Sequence, residues 1–195
     1  MSVIRQLSLL GAETAAPEVA DLAGLLLGNG QVTRRGGTAQ ISTNVDHPWR
    51  ASVLVAECGR RGLAATCVSS VEHRIGVRTA YSALLVPLAE TWTDGPLKRA
   101  PRRLMIDGRT LRLWVQAQGR REGSGAYVLP LGDGDEAARA AIGAALAAVG
   151  LAAQLVSPRG GGGPSYRIVG KRRLGRLAEL VGDPPKQAPR DIWPS

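Results

Sequence analysis

LAGLLLGNG fills residues 22–30 and LRLWVQAQG fills residues 111–119. Both nonapeptides start with Leu, finish with Gly and carry an apolar helical pattern, and position 111 stands 89 residues after position 22. The same spacing returns elsewhere. GLAATCVSS from Gly62 matches GLAAQLVSP from Gly150, and LAE at Leu88 matches LAE at Leu177. Three matches in one order at nearly one shift predict two copies of a single unit, with the two nonapeptides as corresponding helices.

Working outward from the first helix, Pro17 and Glu18 suit an opening turn, and Gly30 stops it. QVTRRGGTAQISTN predicts two strands around a Gly36-Gly37 turn. Asp46, His47 and Pro48 start a helix that runs to about Arg61. LAATCVSSVEHRIGVRTAYSALLV supplies two more strands, and a short helix follows near LAETW. The second copy repeats the order: a helix over 111–118, strands over 120–131, a helix after Asp133, strands LAAQLVS and SYRIVG, and a final helix KRRLGRLAELVG. Asp133 and Asp135 are expected as helix caps. The glycines at 160–163 do not precede a helix with Lys-Ser/Thr, which argues against a phosphate-binding loop. The tail DPPKQAPRDIWPS is expected to be extended, leaving Trp193 to dock on the body or on a partner.

Of 195 residues, 44% are apolar, enough for a sizeable core, and without Phe that core is built from Leu, Val, Ile, Ala and four Trp. The net charge of +9 is almost all arginine, since the only lysines are Lys98, Lys171 and Lys186. Such a balance suits a nucleic-acid partner, because arginine grips phosphate and guanine edges with a two-pronged fork. A soluble protein from an arginine-biased genome has the same balance. Cys58 and Cys67 are too few for a disulfide framework and are expected in the core. No signal peptide or membrane span is recognised, and the longest uncharged apolar run, 140–153, is short of the ~20 residues a span needs. The expected location is cytoplasmic, nucleoid-associated in a bacterium. His47 and His73 form no metal-ligand pattern.

Together, GLLLGNGQVTRRGGTAQIS, KRAPRRLMIDGRTLRLWVQAQG and YRIVGKRRLGRLAELV resemble the two-repeat, monomeric LAGLIDADG homing endonucleases, in the branch whose motifs read GLLLGDG and YWFMDDG. The resemblance runs from about Ala16 to Pro185. It implies an α+β fold, a pseudo-twofold pair of α-β-β-α-β-β-α repeats whose two antiparallel four-stranded sheets form a DNA-binding saddle in the major groove. The expected units are residues 1–95, a basic linker 96–109, residues 110–183 and a proline-rich tail 184–195. Gly24, Gly28 and Ala117 are expected to let the motif helices approach.

The resemblance also implies a metal-binding acid at the penultimate motif position of each helix, where a carboxylate holds Mg²⁺ and a metal-bound water attacks the phosphate. This chain has Asn29 and Gln118 there, whether natural or introduced, and Gln116 two residues before the second. Asn29 and Gln118, as degenerate motif positions, and the lead-in Lys98 are thus the candidate catalytic residues. No metal ligand is assigned and no cofactor is expected, with Mg²⁺ only if cleavage persists. Glu122 or Asp107 would be substitute ligands, but neither occupies the helix end. The expected function is duplex-DNA binding with lost or reduced cutting; an active endonuclease and an interaction module without DNA binding are the alternatives.

Strands alternate faces, so base-reading residues fall at every second position. Gln31, Thr33, Arg35, Thr38, Gln40, Ser42 and Asn44 are the candidates in the first repeat, and Arg120, Glu122, Tyr127, Gln154 and Arg167 in the second. Lys98, Arg99, Arg102, Arg103 and Lys171 are assigned to phosphates. A slip of one residue would invert the strand faces.

Overall fold

The computed structural model describes residues 16–69, 74–157 and 163–194. A 3-10 turn, Val19–Leu22, continues into α1 (Ala23–Leu27), followed by β1 (Gln31–Arg35), β2 (Thr38–Val45), α2 (Pro48–Arg60), β3 (Ala65–Ser69), β4 (Ile75–Thr79) and α3 (Val86–Trp92). The connection forms a small ladder of β5 (Thr93–Asp94) and β6 (Leu97–Lys98). The second half then gives α4 (Gly108–Gln118), β7 (Arg120–Glu122), β8 (Ala126–Pro130), α5 (Glu136–Ala148), β9 (Gln154–Val156), β10 (Ser165–Val169) and α6 (Lys171–Val181). Strand order is β1-β2-β4-β3 in one sheet and β7-β8-β10-β9 in the other, antiparallel throughout. The repeat inferred from spacing is therefore a repeat of topology.

α4 is the central rod. Leu111, Leu113, Trp114, Val115, Gln116 and Ala117 are all buried along it, because neighbouring elements surround it and leave only Arg109, Arg112 and Gln118 half-buried. Asp107 caps its start by accepting from the Thr110 amide at 2.8 Å. α1 lies against α4 so tightly that a Cβ on Gly24 would stand 2.1 Å from the Thr110 carbonyl oxygen, and one on Gly28 would stand 2.2 Å from Gln118 Oε1. Residues of both repeats enter one continuous core that includes Leu26, Leu54, Leu113, Leu129, Ile168 and Leu177.

A buried polar network stitches the outer end of these helices. Arg61 donates to Asp21 at 2.8 Å and to Glu57 at 2.6 Å, and Gln116 on α4 donates to Glu57 at 3.1 Å. Burial pushes the Glu57 carboxyl up. The hydrogen bonds from Arg61 and Gln116, with the charge of Arg60, outweigh burial and hold the carboxyl below its ordinary value of 4.5.

Several expectations change at this level. Asp135 caps α5 through the Ala138 amide at 2.8 Å, whereas Asp133 precedes the helix and lies near Lys98 instead. Cys58 is buried but Cys67 is exposed, because β3 is an edge strand. The tail is not extended: Trp193 is buried, its indole donates to the Gly182 carbonyl at 2.8 Å, and Arg112 stacks 5.2 Å from its ring. His73 and the glycines at 160–162 lie outside the described residues. Among the described residues no helix is long and apolar enough to cross a membrane.

Two measurements check these packing arguments. Gly24→Ala should destabilise by about 2–4 kcal/mol in urea unfolding, because α1 and α4 must separate. Gly175→Ala, in open space on α6, should instead stabilise by about 0.5–1 kcal/mol; equal effects would contradict the close contact. In a pH series, Glu57 contributes stability above about pH 4.5 that is lost as pH falls below it, so Glu57→Gln should give a lower melting temperature with a flatter acid limb.

Candidate nucleic-acid interface

α1 and α4 run side by side, and their C-terminal ends meet. The Asn29 amide donates to Gln118 Oε1 at 3.3 Å, which joins the two degenerate motif positions directly. Asn29 Oδ1 accepts from the Thr43 hydroxyl at 2.6 Å, and Asn29 Nδ2 donates to the Asn44 carbonyl at 3.0 Å. Both amide oxygens are thus engaged by protein donors. Neither substitute acid is nearby: Asp107 caps the opposite end of α4, and Glu122 pairs with Arg167. Among the described residues no three His, Cys, Asp or Glu side chains gather as a metal site. The donors here are neutral amides already in use, a poor match for a hard divalent cation.

Two helix C-termini side by side bring orphan carbonyls and the negative ends of two dipoles together. Each end is capped by a cation. Lys98 Nζ donates to the carbonyls of Leu26, Gly28 and Gly30 at 3.1, 3.0 and 2.7 Å. Arg50, 2% exposed, donates to the carbonyls of Val115, Gln116 and Gly119 at 3.0, 2.8 and 2.6 Å and is itself held by Asp46 at 2.9 Å. Burial lowers the Lys98 pKa to about 8, with Asp133 pulling it back up. At neutral pH Lys98 remains mainly an ammonium whose three donors are spent on the backbone.

On the first sheet the expected register holds. Gln31 pairs with Ser42, Thr33 with Gln40 and Arg35 with Thr38, and paired residues share a face. Ala39, Ile41, Thr43 and Val45 are buried behind them, while Asn44 is exposed. The pairings Ser42–Arg78 and Arg78–Thr66 extend the same face across β4 and β3. Arg78 and Thr66 are exposed and were missed, although the alternation in IGVRT marks Arg78 once β4 is placed beside β2. Arg50 was missed as well, since an arginine in a first helical turn ordinarily faces water.

The second sheet places Arg120, Glu122, Gln154 and Arg167 on one face: Arg120 and Arg167 both pair with Val128, and Arg167 with Gln154. Tyr127 is a correction. The three-residue loop 123–125 puts Glu122 opposite Ala126, so Tyr127 has the opposite parity and is 1% exposed, with its hydroxyl against Gly119. Arg103 is exposed and lines a cleft with Val19, Ala20 and Ala23 at the start of α1. Arg102 precedes it in the same exposed stretch. Arg99 borders a cavity of about 210 Å³ with Leu26, Leu27 and Lys98 and pairs with Asp94 at 2.6 Å. Lys171 is exposed in the first turn of α6, beyond the end of β10.

No family profile and no curated protein matches the chain. Solved structures do. The homing endonuclease I-WcaI bound to its DNA recognition sequence aligns with a TM-score of 0.63 and 13% identity, over 91% of this chain and 82% of that one. The N-terminal LAGLIDADG domain of DUF199/WhiA aligns with a TM-score of 0.59 and 15% identity, over 86% and 83%. I-DmoI in complex with DNA and Mn gives 0.51 and 12%, over 85% and 96%. At these identities the likeness shows a homing-endonuclease-like fold.

The cap arrangement is testable. Lys98→Met and Arg50→Met each strand three carbonyls at a helix end and should each cost about 2–4 kcal/mol in urea unfolding. Loss below about 0.5 kcal/mol at either site would show that water replaces the cation.

Proposed function

We propose that this chain binds double-stranded DNA in a sequence-specific way through its two open sheet faces, without cutting it. The observation that carries the reading is the Asn29–Gln118 contact: at the centre between the two sheets the neutral Gln118 side chain accepts from the Asn29 backbone N–H, and the Asn29 side chain is bonded to Thr43 and Asn44. On either side, strands present hydroxyls, amides and arginines at alternate positions, the groups that read base edges in the major groove. The I-WcaI and I-DmoI structures of similar fold are described as DNA complexes.

Hydrolysis of a phosphodiester by this fold's resembled family calls for divalent ions held by carboxylates. An amide carbonyl contributes no charge toward such an ion, and here both carbonyls accept internal hydrogen bonds. Our reading accordingly has no metal cofactor. Replacing two carboxylates by amides also removes two negative charges from beneath a phosphate backbone, so duplex binding is favoured without any metal to offset repulsion. One chain supplies both sheets, and the reading needs only a monomer.

The test uses a duplex recovered by selection from random DNA. Binding should weaken about 10³-fold or more between 50 and 200 mM salt if six or more phosphates are neutralised, and the DNA should stay intact with Mg²⁺ or Mn²⁺. Cutting of both strands would overturn the loss of cleavage. Absence of any duplex retained at low salt would overturn DNA binding itself and favour a protein-interaction module.

A further inference from the structure

The two open faces are unequal in reach and in chemistry. β2 has eight residues and β1 five, so the first hairpin extends about 24 Å at ~3.4 Å per residue. β8 has five residues and β7 three, which gives about 14 Å. Against a rise of about 3.4 Å per base pair, these lengths cover about seven and about four base pairs.

Chemistry sharpens the difference. The first face carries Gln31, Thr33, Gln40, Ser42 and Thr66 with Arg35 and Arg78, and no carboxylate among them. The middle of the second face is Ala126 and Val128, both under 4% exposed although their strand positions share the face of Arg120, Glu122 and Arg167. Arg167 Nε is also bound to Glu122 across the strands, which sets a phosphate-repelling carboxylate beside this guanidinium.

From this inequality we infer that recognition is lopsided: the first repeat reads base sequence, while the second holds the duplex chiefly through its backbone. The inference rests on the DNA-binding reading above. Sequence information in the bound site is then concentrated on one side of the centre marked by Asn29 and Gln118. The Glu122–Arg167 pair acts as a brake on the second half, keeping its arginine from gripping any DNA indiscriminately.

Selection of bound duplexes from a random pool, followed by sequencing, tests this directly. The expected outcome is a run of about seven strongly determined base pairs on one side and at most weak preferences on the other; equal information on both sides would overturn it. In the full chain, Gln40→Ala with Ser42→Ala should lower the ratio of specific to scrambled-duplex affinity at least 10-fold. Arg120→Ala should weaken both duplexes equally and reduce the salt slope by about one, whereas a loss confined to the selected duplex would assign base reading to the second repeat. Glu122→Gln should tighten scrambled-duplex binding several-fold while the selected sequence stays the same. Unfolding midpoints of each variant separate these effects from misfolding. If no duplex is retained by the unmutated chain, the DNA reading itself fails; a symmetric site overturns the lopsidedness alone.

Discussion

The contact between α1 and α4 sets the terms for the rest of the molecule. With the Gly24 Cα facing the Thr110 carbonyl, no side chain can be placed between the two helices, so each repeat uses the other as the missing wall of its core. Leu25, Leu26 and Leu27 from one repeat and Leu111, Leu113 and Trp114 from the other are buried in one cluster. A half taken alone would expose that surface. The same closeness fixes how the sheets sit: β1 begins four residues after α1 ends and β7 two residues after α4 ends, so both sheets start close to the joined helix ends.

Close approach has an electrostatic consequence at that point. Six backbone carbonyls of the two helix ends accept from Lys98 and Arg50, and no water-filled gap is needed to satisfy them. Neither cation belongs to the helix it caps. Lys98 comes from β6 in the connection and Arg50 from α2 of the first repeat, so the caps also tie the connection and the first repeat to the central pair. Gln118 adds a bond between the helix ends by accepting from the Asn29 backbone N–H, and neutral amides at 29 and 118 avoid the repulsion that two ionised carboxylates would bring there.

What sequence alone could show follows from how local each feature is. The first hairpin's register was legible because a two-residue Gly36-Gly37 turn leaves one pairing and one face, and Gly36 does have φ of +59°. The second hairpin looked equivalent, but its loop holds one more residue, which moved Tyr127 from the open face to the core. Glycines at 24 and 28 were readable as small residues at a helix contact. Lys98 and Arg50 were not readable as caps, since their partners lie 65 to 72 positions away along the chain, a distance no local pattern encodes. The tail's folded course was hidden for the same reason, although docking of Trp193 on the body was one of the expected outcomes: its indole and ring face are satisfied by Gly182 and Arg112, and only the folded body brings those together.

Net charge turns out to be an indirect guide to the interface. The excess of +9 counts Arg50, Arg61 and Lys98, whose hydrogen bonds go to carbonyls and carboxylates inside the protein. Arg34 and Arg99 are similarly paired with Glu90 and Asp94 at the surface. None of these needs a phosphate to be satisfied. Their charge still adds to the long-range field that draws a polyanion toward the protein, but choice among DNA sequences must come from groups that point outward in register. Those groups lie mainly on the first sheet, where Gln31, Ser42, Arg78 and Thr66 form a single row across all four strands. Under the proposed DNA binding, attraction and selectivity fall to different residues: the arginines spread through the whole chain to the first, and the polar rows of one sheet to the second.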